Sequence, residues 1–194
     1  MSSLFRTLLK RLDESEHSYC NTSVDFYNYQ ISEFIDKNIP KESIVKDAND
    51  DPVEKSNKNV PTALASLHCT VLYGVLKDQF KEISDIVSAI NPFQITLRGI
   101  SKFSNVADVI KIDVESKELS ALHYLLKNSV KNTYSYPTYE SHITLGYVKP
   151  NSCDHLIGNL RFDGVVIDVR EIMFHNTYGD SIAMPLRSYP NANN

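Results

Sequence analysis

The chain lacks an excess of basic residues, closely spaced cysteines and any long apolar run. Its formal charge is −4, from 20 Lys and Arg against 24 Asp and Glu. Proteins that bind duplex DNA are usually basic, so this balance disfavours a long polyanion as the main ligand, but it is compatible with a small nucleotide in a local pocket. The three cysteines, Cys20, Cys69 and Cys153, are too far apart for a zinc knuckle or a redox CxxC pair. Their odd number and scattered placement are typical of a reducing compartment.

The first twenty residues also lack the features of a membrane-targeting segment. Their short apolar patch is interrupted by Arg6, Lys10 and Arg11. This is too much charge for the apolar region of a signal peptide, and the patch is far too short to span a bilayer. We expect a short amphipathic helix here and a cytoplasmic protein that does not associate with a membrane.

Hydrophobic residues make up 42% of the 194 residues, which is enough for one good-sized core or for two small lobes that share one. Residues 46–66 are polar and rich in Asp, Asn, Pro and Ser, so we expect a long loop, and a loop of this length is often a lid. We therefore divide the chain into an N-terminal helical or extended segment, 1–60, and a main domain, 61–190. The aromatic-rich stretch 24–36 fits either a strand or a helix.

Hydrophobic periodicity predicts an alternation of strands and helices from residue 66 onwards. The predicted strands are 66–75, 93–104, 106–116 and 141–148, and the predicted helices are 77–90, 117–130 and, shorter, 152–159. Residues 162–187 have the pattern of two strands around a turn at Tyr178-Gly179-Asp180. This order indicates an α+β fold.

Two of the predicted strands begin with the same short sequence, His-x-Thr followed by an apolar residue. One carries His68 and Thr70, and the other carries His142 and Thr144. Alternate residues of a strand share one face, so each histidine lies on the same side as its threonine. This weak internal repeat predicts two lobes, each an antiparallel sheet with helices on its outer face, around a central cleft that carries both motifs.

Two histidines beside a phosphodiester can divide acid and base catalysis between them. One removes a proton from the attacking oxygen, the other protonates the leaving oxygen, and each threonine can donate a hydrogen bond to a non-bridging oxygen as charge builds there. The chemistry requires no metal, and the sequence contains no carboxylate cluster to hold one. The chain contains three His-x-Thr sequences, where about 0.3 are expected by chance. The third, His175-Asn176-Thr177, adjoins the predicted turn, and we interpret it as a chance match near a hairpin end.

The paired His-x-Thr strands, their spacing and the order of elements resemble the 2H phosphoesterase superfamily. Within it, "LHCTVLYGV" and "YPTYESHITLGYVKP" resemble the phage anti-CBASS nucleases, and the likeness spans about residues 60–187. The resemblance implies a 2H phosphoesterase domain at 61–190, no cofactor, and cleavage of 3′,5′ bonds in cyclic di- or trinucleotide messengers by attack of the ribose 2′-OH. It also implies evasion of a bacterial antiviral defence, in the cytoplasm of the host if a phage encodes the chain.

Three alternative functions remain open, of which one is a protein–protein antagonist whose binding would not depend on His68 and the other two act on nucleotides. The first is a 2H phosphodiesterase that acts on RNA 2′,3′-cyclic phosphate ends or on 2′,5′-oligoadenylate. The second is a nucleotide-sequestering protein that binds the messenger without cleaving it, although binding alone does not require a pair of histidines. No long nucleic acid, membrane or obligate protein partner is expected.

Four residues outside the motifs are candidates for substrate binding. Tyr136 and Tyr139 lie in the loop before the second motif, where an aromatic ring can stack on a nucleobase. Tyr27 could reach a base if the N-terminal segment folds over the cleft. Lys149 could place a positive charge near a phosphate.

Overall fold

The computed structural model describes residues 20–45, 67–76, 79–104, 106–176 and 180–187, which form eight antiparallel strands and three α-helices. The strands are β1 (Cys20–Phe26), β2 (Leu67–Val75), β3 (Phe93–Ser104), β4 (Asp108–Glu115), β5 (His142–Val148), β6 (Val166–Val169), β7 (Glu171–His175) and β8 (Ser181–Pro185). The helices are α1 (Tyr29–Asn38), α2 (Phe80–Ser88) and α3 (Lys117–Ser129). The predicted N-terminal helix and the predicted lid at 46–66 lie outside the described residues.

The strands form one hydrogen-bonded sheet in the order β6-β3-β4-β5-β2-β1-β7-β8. In the middle of the sheet, β2 and β5 pair antiparallel through a single residue pair, Cys69 with Ile143. This seam divides the sheet into two four-stranded halves, and each half carries one His-x-Thr strand. The predicted α+β class is confirmed, and the two predicted sheets are compatible with these two halves.

Side-chain caps fix where two of the helices begin. Asn28 precedes α1, and its side chain accepts hydrogen bonds from the backbone N–H groups of Gln30 and Ile31. Ser116 caps α3 in the same way and accepts from the N–H of Leu119. The ambiguous stretch 24–36 therefore contains both the end of a strand and the start of a helix.

The apolar faces of the helices and one face of the sheet form a single hydrophobic core. Its fully buried members include Ile31, Cys69, Val71, Ile83, Val87, Ile112, Leu119, Leu126 and Ile143. Because successive strand residues point to opposite faces, burial of the apolar residues fixes the direction of the polar residues between them. The core thus directs both His-x-Thr pairs to the other side of the sheet.

Two predicted elements near the C-terminus differ from the structure. The predicted helix 152–159 is a 3₁₀ turn at Asp154–Leu156. Residues 162–187 contain three strands where two are predicted, because the first predicted strand is interrupted at Arg170. The part before Arg170 is β6, which pairs with β3, and the part after it is β7, which pairs with β1. Since β1 lies between β2 and β7, residues 20–26 belong to the same sheet as the motifs. The division of the chain at residue 60 stays a prediction.

Candidate active site

The two His-x-Thr sequences lie side by side in the middle of the sheet. His68 and Thr70 are on β2, and His142 and Thr144 are on β5. The central residues of the two motifs pair antiparallel and are fully buried, so the register sets His68 opposite Thr144 and Thr70 opposite His142. The two imidazoles and two hydroxyls therefore share the face opposite the core.

Polar residues extend this face on both sides of the motifs. Directly opposite residues of an antiparallel pair point to the same side of a sheet. On β1, Asp25 is opposite His68 and Ser23 is opposite Thr70. On β4, Asp113 is opposite His142 and Lys111 is opposite Thr144. Each motif histidine therefore has an aspartate opposite it, and the aspartate opposite His142 is paired with Lys111.

His142 is oriented by the backbone just before its strand. Its Nδ1 lies 2.6 Å from the carbonyl oxygen of Glu140, which can only accept, so Nδ1 carries the proton and Nε2 holds the lone pair in the neutral ring. The edge of Phe103 packs against the imidazole, with ring centroids 5.0 Å apart. Burial lowers the pKa of His142, and the Lys111 ammonium lowers it further, while the Glu140 carbonyl and the Asp113 carboxylate act in the opposite direction. A neutral His142 is suited to accept a proton through Nε2.

His68 has a different electrostatic environment. Burial also lowers its pKa, and the main opposing influence is the negative charge of Asp25. Positive charge on His175 or His142 lowers the pKa of His68 further. The two motif histidines are thus close enough to influence each other, as acid and base partners at one phosphate must be.

Lys111 is a buried lysine that the sequence analysis did not single out. It is only 4% exposed, and its ammonium donates a hydrogen bond to Asp113. It also lies 4.3 Å from the centroid of the Phe103 ring. Because Lys111 is directly opposite Thr144, it places a positive charge beside the candidate phosphate-binding hydroxyl. The signal in the sequence is the stretch "VIKIDV", in which two charged residues occupy alternate positions of an apolar strand.

His175, the histidine of the third His-x-Thr sequence, lies on the first motif's side of the site. It is the last residue of β7, next to the β7–β8 connection, as the turn signals predict. Its Nε2 lies 2.7 Å from Ser23 Oγ and 3.6 Å from Asp25 Oδ1. The imidazole thus reaches the carboxylate that faces His68, while Thr177 lies outside the described residues.

A sequence profile of the 2′-5′ RNA ligase superfamily matches residues 44–180, which is most of the chain and includes both motifs. The chain belongs to the 2′-5′ RNA ligase superfamily. As a 2H phosphoesterase of this superfamily, it is a phosphodiesterase-type enzyme. No sequence among the curated proteins matches it.

Solved structures of low sequence identity share the fold. LigT of E. coli complexed with 3′-AMP has a TM-score of 0.56 at 17% identity, with 89% of this chain and 97% of that chain covered. Usb1 of Kluyveromyces marxianus with uridine monophosphate has a TM-score of 0.55 at 9% identity, with 88% and 99% covered. TT0787 of Thermus thermophilus has a TM-score of 0.54 at 13% identity, with 86% and 97% covered. At these identities the likeness establishes the 2H phosphoesterase fold alone.

The tyrosines proposed to stack on bases lie in different environments. Tyr139 packs flat on the buried His123, with ring centroids 4.0 Å apart, and its hydroxyl donates a hydrogen bond of 2.7 Å to the carbonyl of Thr70. One face of its ring is therefore covered, and the residue links the segment before β5 to β2. Tyr136 and Tyr27 are 67% and 70% exposed, so their rings are available to a ligand.

Lys149 is exposed at the far end of β5 from His142, and its backbone N–H donates to the carbonyl of Ser43. The surface next to Phe103 and Asp113, which adjoin His142, is instead an open polar groove of about 520 Å³. Its lining includes Ser101, Phe103, Lys111 and Tyr139. The groove continues the polar face from the second motif towards β3.

Within the described ranges, no three His, Cys, Asp or Glu side chains are grouped so that they could hold a metal ion. None of the described helices is long and apolar enough to cross a membrane.

Proposed function

We propose that this 2H phosphoesterase cleaves the 3′,5′ bonds of cyclic di- and trinucleotides without a metal, by attack of the ribose 2′-OH. The observation that supports the proposal most directly is the placement of two His-x-Thr pairs on one face of neighbouring strands. A phosphate at this face would contact two imidazoles and two hydroxyls at once. That set is sufficient for acid–base catalysis and for stabilisation of the transition state.

The proposed reaction is a transesterification. One imidazole removes the proton of the 2′-OH, the bond from the 2′ oxygen to phosphorus forms, and the bond from phosphorus to the 5′ oxygen breaks. The second imidazole protonates the departing 5′ oxygen. The products are a 2′,3′-cyclic phosphate and a free 5′-OH, and water can then open the cyclic phosphate in a second step.

A small anionic substrate fits the surroundings of the motifs. The net charge of −4 disfavours long RNA, whereas the buried Lys111 supplies local positive charge beside Thr144. The groove beside His142 offers room for a nucleoside next to the reacting phosphate. We propose that the exposed Tyr136 and Tyr27 stack on bases. Tyr139 would offer the uncovered face of its ring to a base, and Lys149 would add positive charge towards a phosphate.

Cleavage of such messengers would remove the signal that activates a bacterial antiviral effector. We therefore propose that the chain acts in the cytoplasm of an infected host as an anti-CBASS nuclease. The competing function is cleavage of RNA 2′,3′-cyclic phosphate ends or 2′,5′-oligoadenylate, for which the same four motif residues are equally suited. Sequestration without cleavage is the alternative from another class.

The decisive test is a substrate panel in EDTA. It contains 3′,3′-cyclic dinucleotides, cyclic triadenylate, 2′,5′-oligoadenylate and an RNA with a 2′,3′-cyclic phosphate end, with products followed by chromatography. His68→Ala and His142→Ala should each abolish cleavage of the cyclic compounds, while His155→Ala, at an exposed histidine, should not. Cleavage of the linear substrates alone would favour the competing function. Tight binding without turnover would favour sequestration.

A further inference from the structure

Asp25 is held in a short hydrogen-bonded network that spans three strands. Ser23 donates its hydroxyl proton to Asp25 Oδ1 over 2.5 Å, and the same hydroxyl oxygen lies 2.7 Å from His175 Nε2. His175 Nδ1 lies 2.8 Å from Ser181 Oγ on β8. None of these four residues belongs to the two motif strands.

The protons of this network can be placed from its geometry. A serine hydroxyl has one proton, and the nearby carboxylate can only accept, so the proton of Ser23 points to Asp25. His175 Nε2 must then carry a hydrogen and donate to Ser23 Oγ. The carboxylate is thereby fixed from the β7 side. Burial raises the pKa of Asp25, but the nearby His175, the hydrogen bond from Ser23 and the positive charge that His68 can carry together keep it below its usual value.

The fixed carboxylate faces the first motif. Asp25 is the direct cross-strand partner of His68, so the two side chains share one face. The other titratable groups that act on His68 are His175 on β7 and His142 on β5, and both can carry only positive charge. Asp25 is therefore the neighbouring group that favours the imidazolium form of His68. The aspartate opposite His142, Asp113, is by contrast paired with the Lys111 ammonium, whose charge opposes a second positive charge on His142.

We propose that Asp25, held by Ser23 and His175, is a positioning residue that stabilises the imidazolium form of His68 and so makes His68 the general acid. On this assignment His68 protonates the 5′ oxygen as its bond to phosphorus breaks. His142, whose Nδ1 proton is committed to the Glu140 carbonyl, accepts the 2′-OH proton at Nε2. The assignment of roles rests on the proposed phosphodiesterase function, whereas the coupling of Asp25 to His68 does not.

The test is an NMR titration of the His68 Cε1–H resonance in the full chain without substrate, with the resonance assigned by its loss in His68→Asn. Asp25→Asn should lower the midpoint by about one pH unit, because an opposite charge at this range shifts a pKa by that order. Asp25→Glu, which retains the charge, should keep the midpoint near that of wild type. Asp36→Asn removes an equal charge from the exposed side of α1 and is the matched control.

His175→Gln gives a second test with the opposite sign. Glutamine can still donate a hydrogen bond to Ser23 but cannot become positively charged, so the midpoint of His68 should rise. A midpoint that falls in His175→Gln would overturn the proposed network, because it would mean that Asp25 is no longer held beside His68. A midpoint in Asp25→Asn within about 0.2 pH units of wild type would overturn the role of Asp25.

Activity measurements separate this inference from the proposed function. With a cyclic dinucleotide, kcat/KM of Asp25→Asn should be about tenfold below that of wild type at pH 7.5, because a lower midpoint leaves less His68 protonated. The deficit relative to wild type should be smaller at pH 5.5, where more His68 is protonated in both proteins. Thermal unfolding checks that each variant is folded. If wild type cleaves none of the phosphodiesters, the proposed function fails while the NMR result stands. If wild type cleaves a phosphodiester but the midpoint of His68 is the same in Asp25→Asn as in wild type, only the inference about Asp25 fails.

Discussion

Replacing Lys111 with methionine removes a buried positive charge beside Thr144 and should lower kcat/KM for a cyclic dinucleotide by about tenfold to a hundredfold. Directly opposite side chains in a sheet are about 5 Å apart, so a phosphate oxygen held by Thr144 would lie about 6 Å from the ammonium. At an effective dielectric constant of about 20, a unit charge at that distance interacts with the ammonium by about 2.8 kcal/mol.

Asp113 reduces this effect, because its carboxylate accepts a hydrogen bond from the Lys111 ammonium and opposes part of its field. If half of the interaction remains, the loss is about 1.4 kcal/mol, so the expected range of about 1.4 to 2.8 kcal/mol corresponds to tenfold to a hundredfold in rate. Methionine has a similar length and is apolar, so it can occupy the same position under Phe103. After the substitution, Asp113 keeps its hydrogen bond from Ser101, which limits the cost in stability.

Steady-state kinetics with a cyclic dinucleotide would measure the effect, with urea unfolding as the check on folding. Lys111→Arg retains the charge and should lose less activity than Lys111→Met. Lys131→Met, at an exposed lysine on the connection after α3, is the control for a change in net charge. If Lys111→Met is folded and lies within about twofold of wild type, the electrostatic argument for Lys111 is refuted.

Thr70→Val or Thr144→Val should lower kcat by about tenfold to a hundredfold with a smaller change in KM, whereas the exposed Thr138→Val should match wild type in the same assay. Tyr139→Phe removes a hydrogen bond to the Thr70 carbonyl and should lower the free energy of unfolding in urea by about 1 to 2 kcal/mol; an unchanged value would mean that this bond contributes nothing. Burial lowers the pKa of His123, so the unfolded state binds more protons below about pH 6.5, and stability should be steady above that pH and fall below it. His123→Gln should make this decline shallower, and an equal decline would exclude His123 as a cause.

The motif strands could be predicted because their information is local. In each, the alternation of polar and apolar residues fixes both the strand and its inward face, and the structure places His68 and His142 on the predicted side. The N-terminal stretch 24–36 was ambiguous because its apolar residues fit two periods. Asn28, a strong helix N-cap, is the local signal that separates the strand from the helix there.

The surroundings of the motifs depend on long-range pairing, which one sequence does not reveal. His175 adjoins a turn, so a structural interpretation was reasonable, but β7 pairs with β1 from about 150 residues away and brings it to Asp25. The sequence makes Tyr139 a candidate for stacking on a base because it is an aromatic residue in the loop before the second motif. In the structure one face of its ring stacks on His123. That histidine lies on α3, which packs against β2, and its ring is hydrogen-bonded to the carbonyl of Val71.

The seam between β2 and β5 has a mechanical consequence. The two motif histidines belong to different halves of the sheet, and where β2 and β5 meet, one backbone pair and the hydroxyl of Tyr139 tie the two strands together. The spacing of the two imidazoles is therefore set at the most sparsely bonded junction of the sheet. A phosphate that accepts hydrogen bonds from both motifs would itself bridge this junction, so the substrate would complete the framework that holds the catalytic groups at their working distance.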